Sequence, residues 1–266
     1  MKSVIFTATF RPGGLDVLEA SLMRQINKDF VWAVTDELLH EREDVWDEIS
    51  NRNDFHIVFI EVEKQKNKRR NLAAAYNQAR EFAIDYNFDL FISLQDYLWI
   101  NEHGVERFVW LHKEKANDLL TGVTHISKDP YPPSINDLQG KYSLWDKPFT
   151  EKPKRIGWLD SRIEDIYRGF QEGAIITVDP EHWEANWSAV PVELLKDGLK
   201  WNEDYDYGVA YENMDFAKRA QKEYGSNCLL DSGNIAISLP HKEYFKGEEQ
   251  EIIDYSNREL FEKEWM

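Results

Sequence analysis

Six stretches of this chain place charged or polar side chains where they can do chemistry. Thr9, Phe10 and Arg11 follow the apolar, β-branched run SVIFTAT; Asp36 and Glu37 follow FVWAVT; Gln95, Asp96 and Tyr97 follow DLFISL. Lys64, Lys66, Lys68, Arg69 and Arg70 supply five cations within seven residues, directly before a helix-like segment. Farther along, Glu212 and Asp215 stand three residues apart, and His241 follows the strand-like NIAISLP.

Each stretch has a chemical reading and a plainer one. A carboxylate such as Asp96, emerging from an apolar strand, can hold a divalent cation that bridges phosphates, or it can simply cap a helix. Five cations before a helix N-terminus suit a diphosphate; otherwise they are a solvated loop. Glu212 and Asp215 project from neighbouring positions of one helix. Ala210, Met214 and Ala217 form its apolar stripe, and Phe216 and Ala220 lie nearer the Glu212 side. Partial cover would raise a carboxyl pKa and suit a general base; the alternative is a pair of surface acids. A lone histidine such as His241 can be a metal ligand or incidental.

Positioning these groups requires a sheet. Residues 3–9, 30–35, 56–62 and 89–95 read as strands, and 15–25, 38–50, 70–86 and about 104–118 as helices between or after them, with a further strand near 119–125. Such alternation predicts a mainly parallel sheet covered by helices. In such sheets ligands lie beyond the carboxyl ends of the strands, where the first four stretches fall. From 128 to 160 the pattern dissolves into Pro130, Pro132, Pro133, Pro148 and Pro153 with Trp145 and Trp158, which predicts a functional loop or lid. The pattern resumes with GAIITV at 173–178, a helix over 209–223, and strand-like CLLD and NIAISL.

Composition narrows the class. The 266 residues carry 49 Asp and Glu against 32 Lys and Arg, a net charge of −17, with 42% hydrophobic and 14% aromatic content. This is too rich in core formers for disorder. No apolar run approaches the ~18 residues of a membrane span, and MKSVIFTATF leads straight into strand-like sequence rather than a signal peptide. The single Cys228 excludes an intrachain disulfide framework and a four-cysteine metal site. A cytoplasmic protein is expected, with peripheral membrane attachment still open. The acidity repels polyanions, which demotes nucleic acid as a partner.

In their order along the chain, these pieces resemble the GT-A-fold glycosyltransferases of the family 2 type. VIFTATFRPG is similar to that family's first strand and threonine-containing turn. VWAVTDE is similar to its strand ending in two acids, with Asp36 at the second position and Thr35 replacing the first. NLAAAYNQA resembles its small-residue helix, FISLQDYLWI the strand with its acidic metal motif, and YENMDFAKRAQKEYG a later helix opening on acids. The match covers roughly 3–125 and 170–241.

The resemblance implies a single GT-A (Rossmann-like) α/β domain with a mainly parallel central sheet flanked by helices, and a C-terminal acceptor-side portion. Residues 1–125 would be the nucleotide-sugar-binding half, 126–241 the acceptor-side half with the Pro/Trp-rich loop 128–160, and 242–266 a helix or arm. Thr9, Arg11 and Asp36 would hold base and ribose, with Asn77 also on the donor side. Lys68 and Arg70 would approach the diphosphate. Asp96 would bind Mn²⁺ or Mg²⁺, with His241 as a further ligand. Glu212 or Asp215 would face the acceptor hydroxyl, and Tyr131, Trp145 and Trp158 would close over the donor and select the acceptor.

The chain departs from the pattern in three places. The two-acid metal motif is reduced to Gln95-Asp96-Tyr97, so a metal would bind weakly or be dispensable. Tyr76 replaces a common Arg before Asn77, and Asn213 stands where some inverting relatives carry the base. The implied function is metal-assisted transfer of a sugar from a nucleotide-sugar, first of all a UDP-sugar, to a hydroxyl of a glycan or other acceptor. The alternatives are a weak or inactive carbohydrate- or nucleotide-binding protein, and a sugar nucleotidyltransferase. Gly13-Gly14 is too little of a phosphate loop to favour the last.

Overall fold

In a computed structural model the described residues are 1–62, 71–127, 140–145, 147–153, 156–159 (backbone only), 173–207, 210–239 and 257–266. The first strands are apolar on both faces of the pleat, so helices must cover both sides. Ser3–Thr9 (β1), Phe30–Asp36 (β2), His56–Phe59 (β3) and Leu90–Leu94 (β4) pair in parallel in the order β3-β2-β1-β4. On one face, Val4 and Phe6 pack on Ala73, Ala75 and Ala79 of helix Leu72–Asp85. Alanine is both the best helix former and small enough for close approach to a sheet. On the other face, Ile5 meets Leu15, Leu18 and Leu22 of helix Leu15–Met23. These helices are α3 and α1. Helix α2, Glu43–Arg52, lies between them in sequence and buries only Trp46 and Ile49.

The sheet then changes character. Trp187–Pro191 (β9) runs antiparallel between β4 and Leu119–Ser127 (β6), and Cys228–Ser238 (β10) runs parallel to β6. Leu98–Ile100 (β5), Ile156–Leu159 (β7) and Ile175–Val178 (β8) add antiparallel pairs at the periphery. The sheet is therefore parallel in its first half and mixed as a whole. Strand β9 is what changes the direction. WSAVP is short and begins with Trp and Ser, so it gives no period-2 signal in sequence. Gly122 of β6 is required opposite it: an added Cβ would lie 2.3 Å from the Trp187 ring. The strand-like CLLD and NIAISL are one strand, β10, with a register shift between Asp231 and Ile235.

Three further helices, Gly104–Glu114 (α4), Val192–Lys196 (α5) and Glu212–Tyr224 (α6), complete the central layers. Residues 257–265 form a last helix, α7. Its Phe261 ring packs tilted against Tyr211 at 5.2 Å, and Trp265 Nε1 donates to Asp215 Oδ1 at 3.0 Å.

Candidate functional site

The strand order locates the crevice. From β1 the chain moves outward to β2 and β3, then crosses back to β4 on the other side of β1. The chain order reverses between β1 and β4, and it is beyond the carboxyl ends at such a switch that open α/β sheets bind ligands. Continuing the register beyond Phe6↔Ser93 brings Thr9 level with Asp96. Thr9 Oγ1 donates to Asp96 Oδ2 at 3.2 Å, and Arg11 Nη1 donates to Asp96 Oδ1 at 2.6 Å. Arg11 is 8% exposed and Asp96 3%, so this is a buried ion pair. The guanidinium lies over the Phe10 ring at 4.9 Å and the Tyr97 ring at 5.9 Å. Its Nε is buried without a hydrogen-bond partner.

Tyr97 has φ 62°, rare for an aromatic residue. Its hydroxyl donates to Pro12 O at 2.6 Å, and its carbonyl accepts from Leu239 N. Gly14 makes room for the ring: an added Cβ would sit 3.0 Å from Tyr97 Cζ. Backbone strain of this kind persists only where the surroundings hold it, commonly at sites of function.

The Asp36 carboxylate, expected at the donor site, is engaged by the chain's own donors. It accepts from Arg42 Nε (2.6 Å) and Nη2 (2.8 Å), from Trp46 Nε1 (2.7 Å) and from Leu38 N (2.9 Å). With its lone pairs so engaged and its side chain fully buried, it is linked to the Arg11 turn through Arg42. Arg42 Nη1 donates to the Arg11 carbonyl at 3.1 Å, which fixes the turn carrying the guanidinium.

The α3 N-terminus also differs from the expected diphosphate seat. Its Ala73 and Ala74 N–H groups donate to Asp206 at 2.8 and 3.1 Å, so one of the chain's own carboxylates occupies the anion position. Lys68 and Arg70, with the rest of the basic cluster, lie outside the described residues. Asn77 is spent on the loop after α5: it donates to Trp201 O and Glu203 Oε1 and accepts from Trp201 N.

The two acids of α6 separate in role. Asp215 is fully buried and accepts from Arg219 at 2.8 and 2.9 Å and from Trp265. That leaves no open face toward an acceptor. Glu212 is half-buried at the first position of the helix and accepts from Asn213 Nδ2 at 3.1 Å. Two consecutive left-handed residues, Ala210 (φ 66°) and Tyr211 (φ 70°), precede it. Asn257 of α7 braces them by donating to the Ala210 and Tyr205 carbonyls at 3.0 and 3.1 Å.

Tyr76 links the two halves of the site. Its hydroxyl bonds Ser93 Oγ at 2.6 Å, and its ring stacks on Trp201 at 4.5 Å. Trp201 in turn stacks on Phe216 at 3.9 Å and donates to Asn213. Burial raises the Tyr76 phenol far above its usual range, and the charges of Glu212 and Asp96 add to the shift. Both carboxylates therefore act on one buried hydroxyl.

The proline- and tryptophan-rich stretch is partly fixed. Tyr142 O accepts from Leu15 and Asp16 N, Tyr142 Oη donates to Glu19 at 2.8 Å, and Phe149 N donates to Asp16 at 2.5 Å. The described residues of 140–149 thus strap the start of α1. Trp145 packs there, 6.3 Å from the Tyr97 ring and 5.3 Å from Phe149. Tyr131 and His241 lie outside the described residues, as does the side chain of Trp158 in β7.

Sequence reasoning left Arg42, Tyr76, Tyr97 and Asp206 without roles. Tyr97 carries a readable signal as the residue after the strand-end acid. Arg42 and Asp206 act across the fold and carry none.

A divalent cation does not fit the described side chains as arranged. No group of three or more His, Cys, Asp or Glu residues is placed to share one among the described residues. Asp96 offers a single carboxylate, already bonded to Arg11 and Thr9. A cavity of about 610 Å³ lined by Asn27, Arg107 and Trp110 lies against α4, and none of the crevice residues lines it.

No protein-family model matches the chain, and no curated protein matches its sequence. Solved structures do match. Residues 1–349 of S. aureus TarS align with TM-score 0.57 and 12% identity, covering 90% of this chain and 60% of that one. The same protein in complex with UDP gives 0.58 and 13%, covering 90% and 61%. Its complex with UDP-GlcNAc gives 0.56 and 16%, covering 94% and 61%. The architecture is a GT-A glycosyltransferase fold. This chain spans only about three-fifths of those TarS chains.

Proposed function

We propose that this chain is a glycosyltransferase that moves a sugar from a nucleotide-sugar to an acceptor hydroxyl. One observation supports this above the others. In a GT-A fold, the buried Arg11–Asp96 pair stands at the carboxyl ends of β1 and β4, and the half-buried Glu212 is joined toward it by contacts through Asn213, Trp201 and Tyr76, whose hydroxyl bonds Ser93 of β4. The donor would lie along the crevice with its diphosphate toward Arg11 and the Lys64–Arg70 stretch. Glu212 would take the proton of the acceptor hydroxyl while that oxygen attacks the anomeric carbon. The bond from that carbon to the diphosphate oxygen then breaks, and the nucleoside diphosphate leaves with the electron pair. The growing charge on the leaving group is stabilised by donors already in place. Asp215 serves as a buried strut of α6 and not as the base.

A UDP-sugar is the first donor to test, because the matching TarS structures include UDP and UDP-GlcNAc complexes. The acceptor is a glycan or another hydroxyl compound. No described helix is long and apolar enough to cross a membrane. The test is release of nucleoside diphosphate from UDP-, GDP-, dTDP- and CDP-sugars, starting with UDP-GlcNAc. Slow turnover of one sugar-nucleotide is expected. Binding that never leads to release would instead fit a nucleotide-binding protein, the reading favoured by the already neutralised Asp96.

A further inference from the structure

We infer that the Arg11 guanidinium is the resident cation of the diphosphate subsite, so that nucleoside diphosphate binding needs no divalent metal. The inference rests on the donor site proposed above. At this strand end Asp96 would be the natural metal ligand, and Arg11 Nη1 already lies 2.6 Å from its Oδ1. A cation bound to the same carboxylate would sit within a few ångströms of a buried guanidinium. Like charges at that separation in a low-dielectric pocket repel strongly. Gln95, in place of a second acid, adds no charge to offset this.

The guanidinium also has the properties a diphosphate site requires. Among the described residues, Asp96 takes one of its N–H donors, and Nε has no partner. A planar fork held on one edge by a carboxylate can offer its other edge to phosphate oxygens. Its position is preset from several sides. Arg42 holds the Arg11 carbonyl, Tyr97 holds the Pro12 carbonyl, and the Phe10 and Tyr97 rings wall the charge. Fixed donors need no reorganisation when charge develops on a leaving group.

Calorimetric titration of the whole chain with UDP and with uridine, in EDTA and in Mn²⁺, tests this. GDP, dTDP and CDP serve as further probes. Wild-type protein is expected to bind UDP equally well, within about threefold, in EDTA and Mn²⁺, and about tenfold or more tighter than uridine. Arg11→Ala should lose most of the UDP-over-uridine preference in EDTA. With Asp96 released, it should recover part of that preference when Mn²⁺ is added. Arg11→Lys should keep part of it without metal. Arg11→Ala with Asp96→Asn leaves no uncompensated buried charge, so it covers the case in which the single variant does not fold, and it too should lose the preference. A tenfold loss of wild-type UDP binding in EDTA would overturn the inference while leaving the donor site intact. So would an unchanged UDP-over-uridine preference in the Arg11→Ala or double variant. Failure of every nucleoside diphosphate to bind, with or without Mn²⁺, would overturn the donor site and this inference with it.

Discussion

Arg42 is the residue whose removal should be felt most widely. It is 1% exposed and faces a fully buried carboxylate, so Arg42→Ala leaves Asp36 with Trp46 and Leu38 as its partners. Breaking a buried ion pair in this way costs about 3–5 kcal/mol. Urea unfolding of Arg42→Ala should show a loss of that order; a change under about 1 kcal/mol would contradict the buried pair. The same substitution frees the Arg11 carbonyl, so donor affinity should fall as well. At this scale the sequence was legible wherever position alone decides. That Thr9, Arg11 and Asp96 come together could be read because each follows an apolar strand. The partners of Asp36 and of the α3 N-terminus could not. Asp206 reaches α3 across 133 residues, and no local spacing encodes that.

Between elements, the contact of strap 140–149 with α1 carries a measurable pH signature. Burial raises the Asp16 carboxyl above its ordinary range and outweighs the hydrogen bonds from Phe149 and Ser143 that act against it. Above the unfolded carboxyl value near ~3.9, the unfolded chain has released this proton while the folded chain still holds it. The folded state then binds more protons, so Asp16 subtracts stability as pH rises through its folded value. Asp16→Asn cannot titrate. Its stability relative to wild type should therefore increase from about pH 4 to pH 7 in urea melts. Parallel curves for the two proteins would contradict a desolvated Asp16. Elements were legible in proportion to their length and period. Strand β1 and helices α1 and α3 appear as expected, whereas β9, five residues at the centre of the sheet, does not announce itself. The 128–160 stretch reads as a lid in sequence, yet 140–149 is tied to α1 through Tyr142 and Phe149, whose partners Asp16 and Glu19 look like ordinary helix acids.

Over the whole molecule, the net charge of −17 is general, while five cations fall between Lys64 and Arg70. If those cations serve the proposed donor site, a small anionic donor would be attracted by them against the general acidity, and its affinity should weaken with salt. The fold was legible in the order of the pieces along the chain, more than in any one motif. The mixed half of the sheet was not legible, because strand direction is set by tertiary pairing. The proposed active site combines two features far apart in sequence, the Arg11–Asp96 pair at the carboxyl end of the sheet and Glu212 at the head of α6. Steady-state release of nucleoside diphosphate by Glu212→Gln, measured beside wild type with the sugar-nucleotide that turns over fastest, tests that junction most directly. A fall in kcat of about 10²-fold or more with KM little changed is expected, since a general base contributes to the transition state and not to donor binding. An unchanged kcat in Glu212→Gln would contradict this role.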